Sequence, residues 1–207
     1  FAASRQLQVR SSVITAVRLT YVGELGYELH IPIDHALDVY RALISSGADL
    51  GIRNAGYRAI ESLRLEKGYR AWGSDLSPDH TPLEAGLGWA VKLTGKTDFL
   101  GKEALLQQKR EGVKKQLACF TTDASNINLI GRETIFRDDQ RVGWLTSAGF
   151  GHTIGRPIGY GYVRNADGVD REYLERGVYS LEIAGTRVPC SLHLEPLYDP
   201  ASSRIKG

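Results

Sequence analysis

Residues 13–33 read "VITAVRLTYVGELGYELHIPI", and the fold turns on how that stretch is divided. Apolar and polar residues alternate through "VITAVRLTYV" (13–22) and again through "YELHIPI" (27–33), as half-buried strands require. Between them lies "YVGELGYE" (21–28), where Glu24 stands between Gly23 and Gly26. A tight hairpin turn normally carries Asn-Gly or Asp-Gly, so a glutamate framed by glycines needs its own explanation. A carboxylate fixed at the end of two strands is a positioned acceptor pair, suited to a planar, guanidine-like partner with two parallel donors. Arginine is one such partner and the aminopyrimidine edge of a pterin another. A solvated turn residue, or a mate for Arg58 or Arg64, fits the pattern equally.

Downstream, "DHALDVYRALISSGADLG" spaces Ala36, Leu37, Tyr40, Leu43 and Ile44 as a helix, with Asp34 as its N-cap and Gly47 as its stop. A second helix is expected in "NAGYRAIESLRLEKG", ending at Gly68. Arg64 falls on its inward face, and a buried arginine demands an acid; Glu66 and Glu84 are the candidates. Strand, strand, helix, helix is an α+β order. Near Gly95 the character changes. One amphipathic helix at about 101–111 leads into "KKQLACFTT", "ETIFRDDQRVGWLTS", "PIGYGYV" and "GVYSLEIAGTRVPCSLHL". Hairpin turns are expected at Asp138-Asp139 and Ala184-Gly185. Short strands at that spacing, with no further helices, predict a small barrel or sandwich over 96–207 after an α+β domain over 1–95.

The bulk numbers exclude more than they select. The 207 residues carry 26 Lys+Arg and 24 Asp+Glu, a net charge of +2, which makes no electrostatic case for nucleic acid or an anionic membrane. No apolar run reaches the roughly 20 residues that span a bilayer, and "FAASRQLQVR" has no secretory h-region. Cys119 and Cys190 form no framework and no metal motif, so both are expected on strands in a reducing, intracellular compartment. The five histidines show no metal-ligand spacing, "GFGHTIGRPIG" sits among strands rather than at a strand–helix junction, and no nucleophile elbow is present. Phe1 comes first and methionine is absent, which is read as a stretch of a longer protein.

Three segments together resemble the folate-binding aminomethyltransferase family of the glycine cleavage T-protein: "YVGELGYELHIP", "NAGYRAIESLRLEKGYRAWGSDLSPDHTPLEAGLGWAVKL" and "FLGKEALLQQKREG". Within that family, "RLEKGYRAWGSDL", "PLEAGLGW" and "LYDPASSRIKG" are most similar to the C-terminal regions of the sarcosine and dimethylglycine dehydrogenases. The resemblance implies a ferredoxin-like type of α+β subdomain followed by a C-terminal barrel, around a central folate site, with the N-terminal part of the architecture missing. It implies tetrahydrofolate as cofactor, Glu24 on the pterin edge, Trp72 and Tyr21 beside the pocket, and Tyr198 near the folate. FAD would belong to the parent protein, which oxidises an N-methyl glycine and captures the one-carbon unit as 5,10-methylenetetrahydrofolate. The family's catalytic aspartate belongs ahead of Phe1, so no catalytic residue and no metal are assigned to this stretch. Where many T-proteins have an Arg-Asp pair, Ile60-Glu61 stands here. Bacterial cytoplasm and mitochondrial matrix both fit. A stand-alone aminomethyltransferase and a non-catalytic regulatory protein on the same fold are the alternatives.

Overall fold

A computed structural model describes residues 2–123 and 127–206. The chain opens with an antiparallel sheet, β1 (Ser4–Val9), β2 (Ser12–Val17) and β3 (Glu28–His30), in that spatial order. β1 was not anticipated: its "SRQLQV" is polar and its first five residues are exposed, so no apolar alternation announces it. The two expected strands are shorter than their patterns. β2 pairs Val17 with Glu28 and Thr15 with His30, leaving residues 18–27 as a ten-residue loop rather than a tight turn. The reason is packing. That loop lies against the end of the second helix, where Gly23, at φ +80°, approaches Lys67 so closely that a Cβ would stand 2.8 Å from the lysine stem.

Helix α1 (Ala36–Ser46) ends at Gly47 as expected, with Gly47 N donating to Leu43 O at 2.9 Å. Asp34 is not its cap. A 3-10 turn over Ile33–His35 comes first, begun by His35 N donating to Pro32 O, and His35 takes the N-cap position with no side-chain bond. Helix α2 (Tyr57–Lys67) stops at Gly68, which is left-handed at φ +76° and donates to Leu65 O while Tyr69 N donates to Arg64 O, a glycine C-cap of the usual kind. Helix α3 (Lys102–Glu111) then delivers the chain to the barrel.

Among the described residues six strands close antiparallel into a barrel: β4 (Val113–Thr121), β7 (Arg156–Val169), β6 (Gln140–Gly151), β5 (Thr134–Arg137), β8 (Tyr179–Ile183) and β9 (Thr186–His193), which returns to β4. Both expected hairpin turns are present. Asp138 and Asp139 have φ of 48° and 64°, and Ala184 and Gly185 of 48° and 81°, the doubly left-handed form that matches strand twist. The expectation of no further helices fails at α4 (Arg171–Arg176), capped by Asp170 accepting from Tyr173 N at 2.7 Å, and at α5 (Ser203–Lys206).

The barrel is buried on two faces, which explains its continuous apolar strands. On β4, Ala118 and Phe120 point into the barrel core with Ile135, Leu145, Val163 and Leu181. Their alternates Leu117 and Cys119 point outward and pack with Ile158, Tyr160, Tyr162 and Leu65 of α2, as a two-residue period dictates. Each fully buried large side chain contributes about 1.5–3 kcal/mol. Where β6 crosses β7 a Cβ on Gly161 would sit 2.5 Å from Trp144 O, so only glycine allows that approach. Burial pushes the Cys119 thiol up to about 12. At pH 8 Cys119 should therefore stay unlabelled by an aromatic disulfide reagent until the protein unfolds; rapid labelling of the folded chain would mean that α2 does not cover β4.

Candidate functional site

The scaffold of the site is an arginine sealed from water. Arg64 is 2% exposed. Its Nη1 donates to Asp75 Oδ2 at 2.9 Å, Ser147 Oγ at 3.1 Å and Tyr69 O at 3.3 Å, while Nε and Nη2 both donate to Glu61 Oε2. Asp75, fully buried, also accepts from Ser147 Oγ at 2.8 Å, Thr146 Oγ1 at 2.5 Å and Ala71 N at 3.0 Å, and its own carbonyl accepts from Tyr162 Oη at 2.9 Å. The expected partners Glu66 and Glu84 are otherwise engaged. Glu66 Oε1 accepts from Thr153 N and Ile154 N in the β6–β7 turn, within the glycine-rich "GFGHTIGRPIG". Glu84 accepts from Thr81 N and faces Lys115 at 3.5 Å. Asp75 stands in the irregular "WGSDL", where no period could single it out.

Next to that knot the 18–27 loop brings Tyr21 and Glu24 together with the C-terminal segment. The Tyr21 ring stacks on Tyr69 with centroids 5.9 Å apart and an 11° angle, and its hydroxyl donates to Arg70 O at 3.0 Å. Burial raises both phenols above their ordinary value, and the charges of Arg64 and Asp199 act on Tyr21 and Tyr69 respectively. Glu24 is held from two directions: Tyr198 Oη donates to Oε1, and Arg204 Nε donates to Oε2 at 3.2 Å. The tail carrying those donors is pinned to α2. Lys67, 3% exposed, donates to Asp199 O at 2.5 Å and Ser202 Oγ at 3.1 Å, and pairs with Asp199 Oδ2 at 3.3 Å. Hydrogen bonds from the Ser203 hydroxyl and backbone, with the Lys67 charge, hold the Asp199 carboxyl far below the usual carboxylate range.

Glu24 and Tyr198 are thus brought together, with Tyr21 on the same loop as Glu24 but facing Tyr69 and Arg70. Trp72 is elsewhere: 76% exposed, it edges a separate hollow of about 250 Å³ with Leu76, His80 and Pro82. Tyr69, Arg204 and Asp199 were not anticipated. The first was visible only as the residue after the glycine stop. Arg204 and Asp199 lie some 180 positions from the loop they serve. Among the described residues no cluster of three or more His, Cys, Asp or Glu could hold a metal, and no helix is long and apolar enough to cross a membrane.

Two family models meet on this chain: the GCVT N-terminal domain over residues 1–95 and the glycine cleavage T-protein C-terminal barrel domain over 115–199. The chain belongs to the glycine cleavage T-protein family. The aminomethyltransferase T of Bartonella henselae has the same fold, with a TM-score of 0.78 and 28% identity over 95% of this chain and 52% of that one. Human mitochondrial sarcosine dehydrogenase is 44% identical over all of this chain, which spans 23% of that protein's length. A mitochondrial pyruvate dehydrogenase phosphatase regulatory subunit from Mus musculus is 40% identical over 89% of the chain, and mitochondrial dimethylglycine dehydrogenase from the same species 35% over all of it; the chain spans 22% and 23% of those lengths. It therefore spans about a quarter of the length of each of these mitochondrial relatives.

The Arg64 knot is testable. Asp75→Ala strips the guanidinium of its buried counter-charge, which costs about 3–5 kcal/mol. Urea titration followed by tryptophan fluorescence should show a loss of that size. A loss below about 1 kcal/mol would mean that solvent, not Asp75, compensates Arg64.

Proposed function

We propose that this chain is the tetrahydrofolate-binding C-terminal region of a flavin-dependent demethylase of sarcosine or dimethylglycine. The reading rests on one observation above all: Glu24, on a loop the family resemblance singled out, has one oxygen on Tyr198 and the other on Arg204, and the same loop carries Tyr21, stacked on Tyr69. The residues fit the group. Each carboxylate oxygen accepts more than one hydrogen bond, and the Glu24 side chain is 39% exposed, so it has room for the N–H edge of a pterin. Tyr21 and Tyr69 supply a flat wall of the kind that heterocycles pack against.

Bound there, tetrahydrofolate would supply the amine that captures the one-carbon unit as 5,10-methylenetetrahydrofolate. The work of these residues is orientation. Glu24 would fix the pterin edge with Tyr198 keeping the carboxylate in register, and Tyr21 and Tyr69 would shield one face from water. Such positioning lowers a barrier by fixing geometry in advance. Flavin chemistry belongs to the parent's other domains, and the N-methyl glycine would reach them, not this region. A matrix location for the parent draws support from its mitochondrial relatives; a bacterial source would put it in the cytoplasm. The boundary between folate region and barrel falls near residue 95.

A regulatory reading draws support from the 40% likeness to the phosphatase regulatory subunit, and one titration separates the two. In the protein extended by its upstream part, calorimetry should show tetrahydrofolate binding, and Glu24→Ala should weaken it about 30-fold, roughly 2 kcal/mol for a charge-assisted pair. No binding by the unsubstituted protein would favour the regulatory reading. Binding that Glu24→Ala leaves unchanged would remove Glu24 from the site.

A further inference from the structure

A different hollow, of about 320 Å³, opens between the end of α2 and the outer side of the barrel, walled by Arg70, Trp89, Leu117, Tyr160, His193 and Pro196. Arg70 is half-buried there and has no acid. Its Nε donates to Ala85 O at 3.1 Å and its Nη1 to Gly68 O, and no carboxylate among the described residues pairs with it. Nη2 makes no hydrogen bond with the described residues. It lies over Gly86, where a Cβ would stand 2.9 Å away. A side chain at that position would crowd the guanidinium, and φ of +68° disfavours one in any case.

Nothing else in the hollow offsets that charge. Glu195 also lines it, but its side chain is 72% exposed and sits 4.0 Å from Arg171. His193 shares a hydrogen bond with Thr121 Oγ1 at 2.8 Å, and burial with the nearby Arg156 charge lowers its pKa, which disfavours the charged ring. Cys119 and Tyr160 are kept protonated by burial, against the pull of Arg70 itself. A partly desolvated guanidinium with free N–H groups is a ready anion site, since its planar fork matches an oxyanion. Leu117 and Pro196 add an apolar wall, and Trp89, 83% exposed, a flat rim. The volume lies at the small end of ligand pockets, which run from about 300 Å³ upward.

We propose that this hollow binds a small planar carboxylate, its oxygens on Arg70 Nη2 and its apolar body against Trp89 and Leu117. Neither Glu24 nor Tyr198 lines this hollow. Benzoate is the probe, titrated into the full chain and followed by tryptophan fluorescence and by the Trp89 indole N–H signal in NMR. Saturable binding is expected that shifts Trp89, weakens at least tenfold in Arg70→Gln, and survives in Glu24→Ala. Benzoate that leaves Trp89 unmoved, or binds a folded Arg70→Gln variant equally well, would overturn the proposal. Because Arg70 also holds two carbonyls, that variant can lose its fold. Trp89→Ala, at an exposed rim position, then carries the test: a severalfold weaker affinity supports the site, and an unchanged one overturns it.

Discussion

One buried cation organises this molecule. Arg64 draws in Glu61 from its own helix, Asp75 from the irregular stretch beyond it and Ser147 from β6. A guanidinium in the interior is tolerable only when its donors are met, and here the carboxylate of Asp75 is itself met by two hydroxyls and a backbone N–H. Such a network is worth less as net stability than as a constraint on arrangement. It ties α2 to Asp75 and to β6 at once. Everything near Glu24 is referred to that tie.

The chain secures α2 by complementary means at its last turn. Leu65 enters an apolar layer with Leu117, Ile158 and Tyr160. Its neighbour Glu66 caps two amides of the β6–β7 turn, and Lys67 anchors the tail. Four consecutive residues from Arg64 to Lys67 are buried, three of them charged in type. No amphipathic stripe is possible in such a turn. The helix end works instead as a hub, with each side chain reaching a different element.

That arrangement marks what could be read from the amino acids and what could not. Local chemistry was legible. Gly68 ends α2, the Asp138-Asp139 and Ala184-Gly185 turns make their hairpins, and β4 sits on a strand pattern, because each depends on neighbours in the chain. The family resemblance was legible too, since its motifs are long. Features that depend on distant packing were not. β1 is recruited by edge pairing to β2 despite a polar sequence, and the β2 pattern stops short because Gly23 docks on Lys67. Glu61 stands at helical spacing from Arg64, but its buried mate Asp75 and the mates of Glu24 come from segments 11 and about 180 residues away, beyond any periodic signal. Helix α4 is only six residues long, too short for a helical period to announce it among strands.

The grip of Tyr198 and Arg204 on Glu24 means that the carboxylate already has an occupant of its own. An intramolecular donor pair acts at an effective concentration set by its tether, in the millimolar range or above for short connections. Any visiting molecule must therefore either share the carboxylate's open lone pairs or dislodge the tail. At the proposed site a weak, single-donor visitor would lose to this resident competitor, and the 198–204 segment would thereby set a threshold for what the loop accepts.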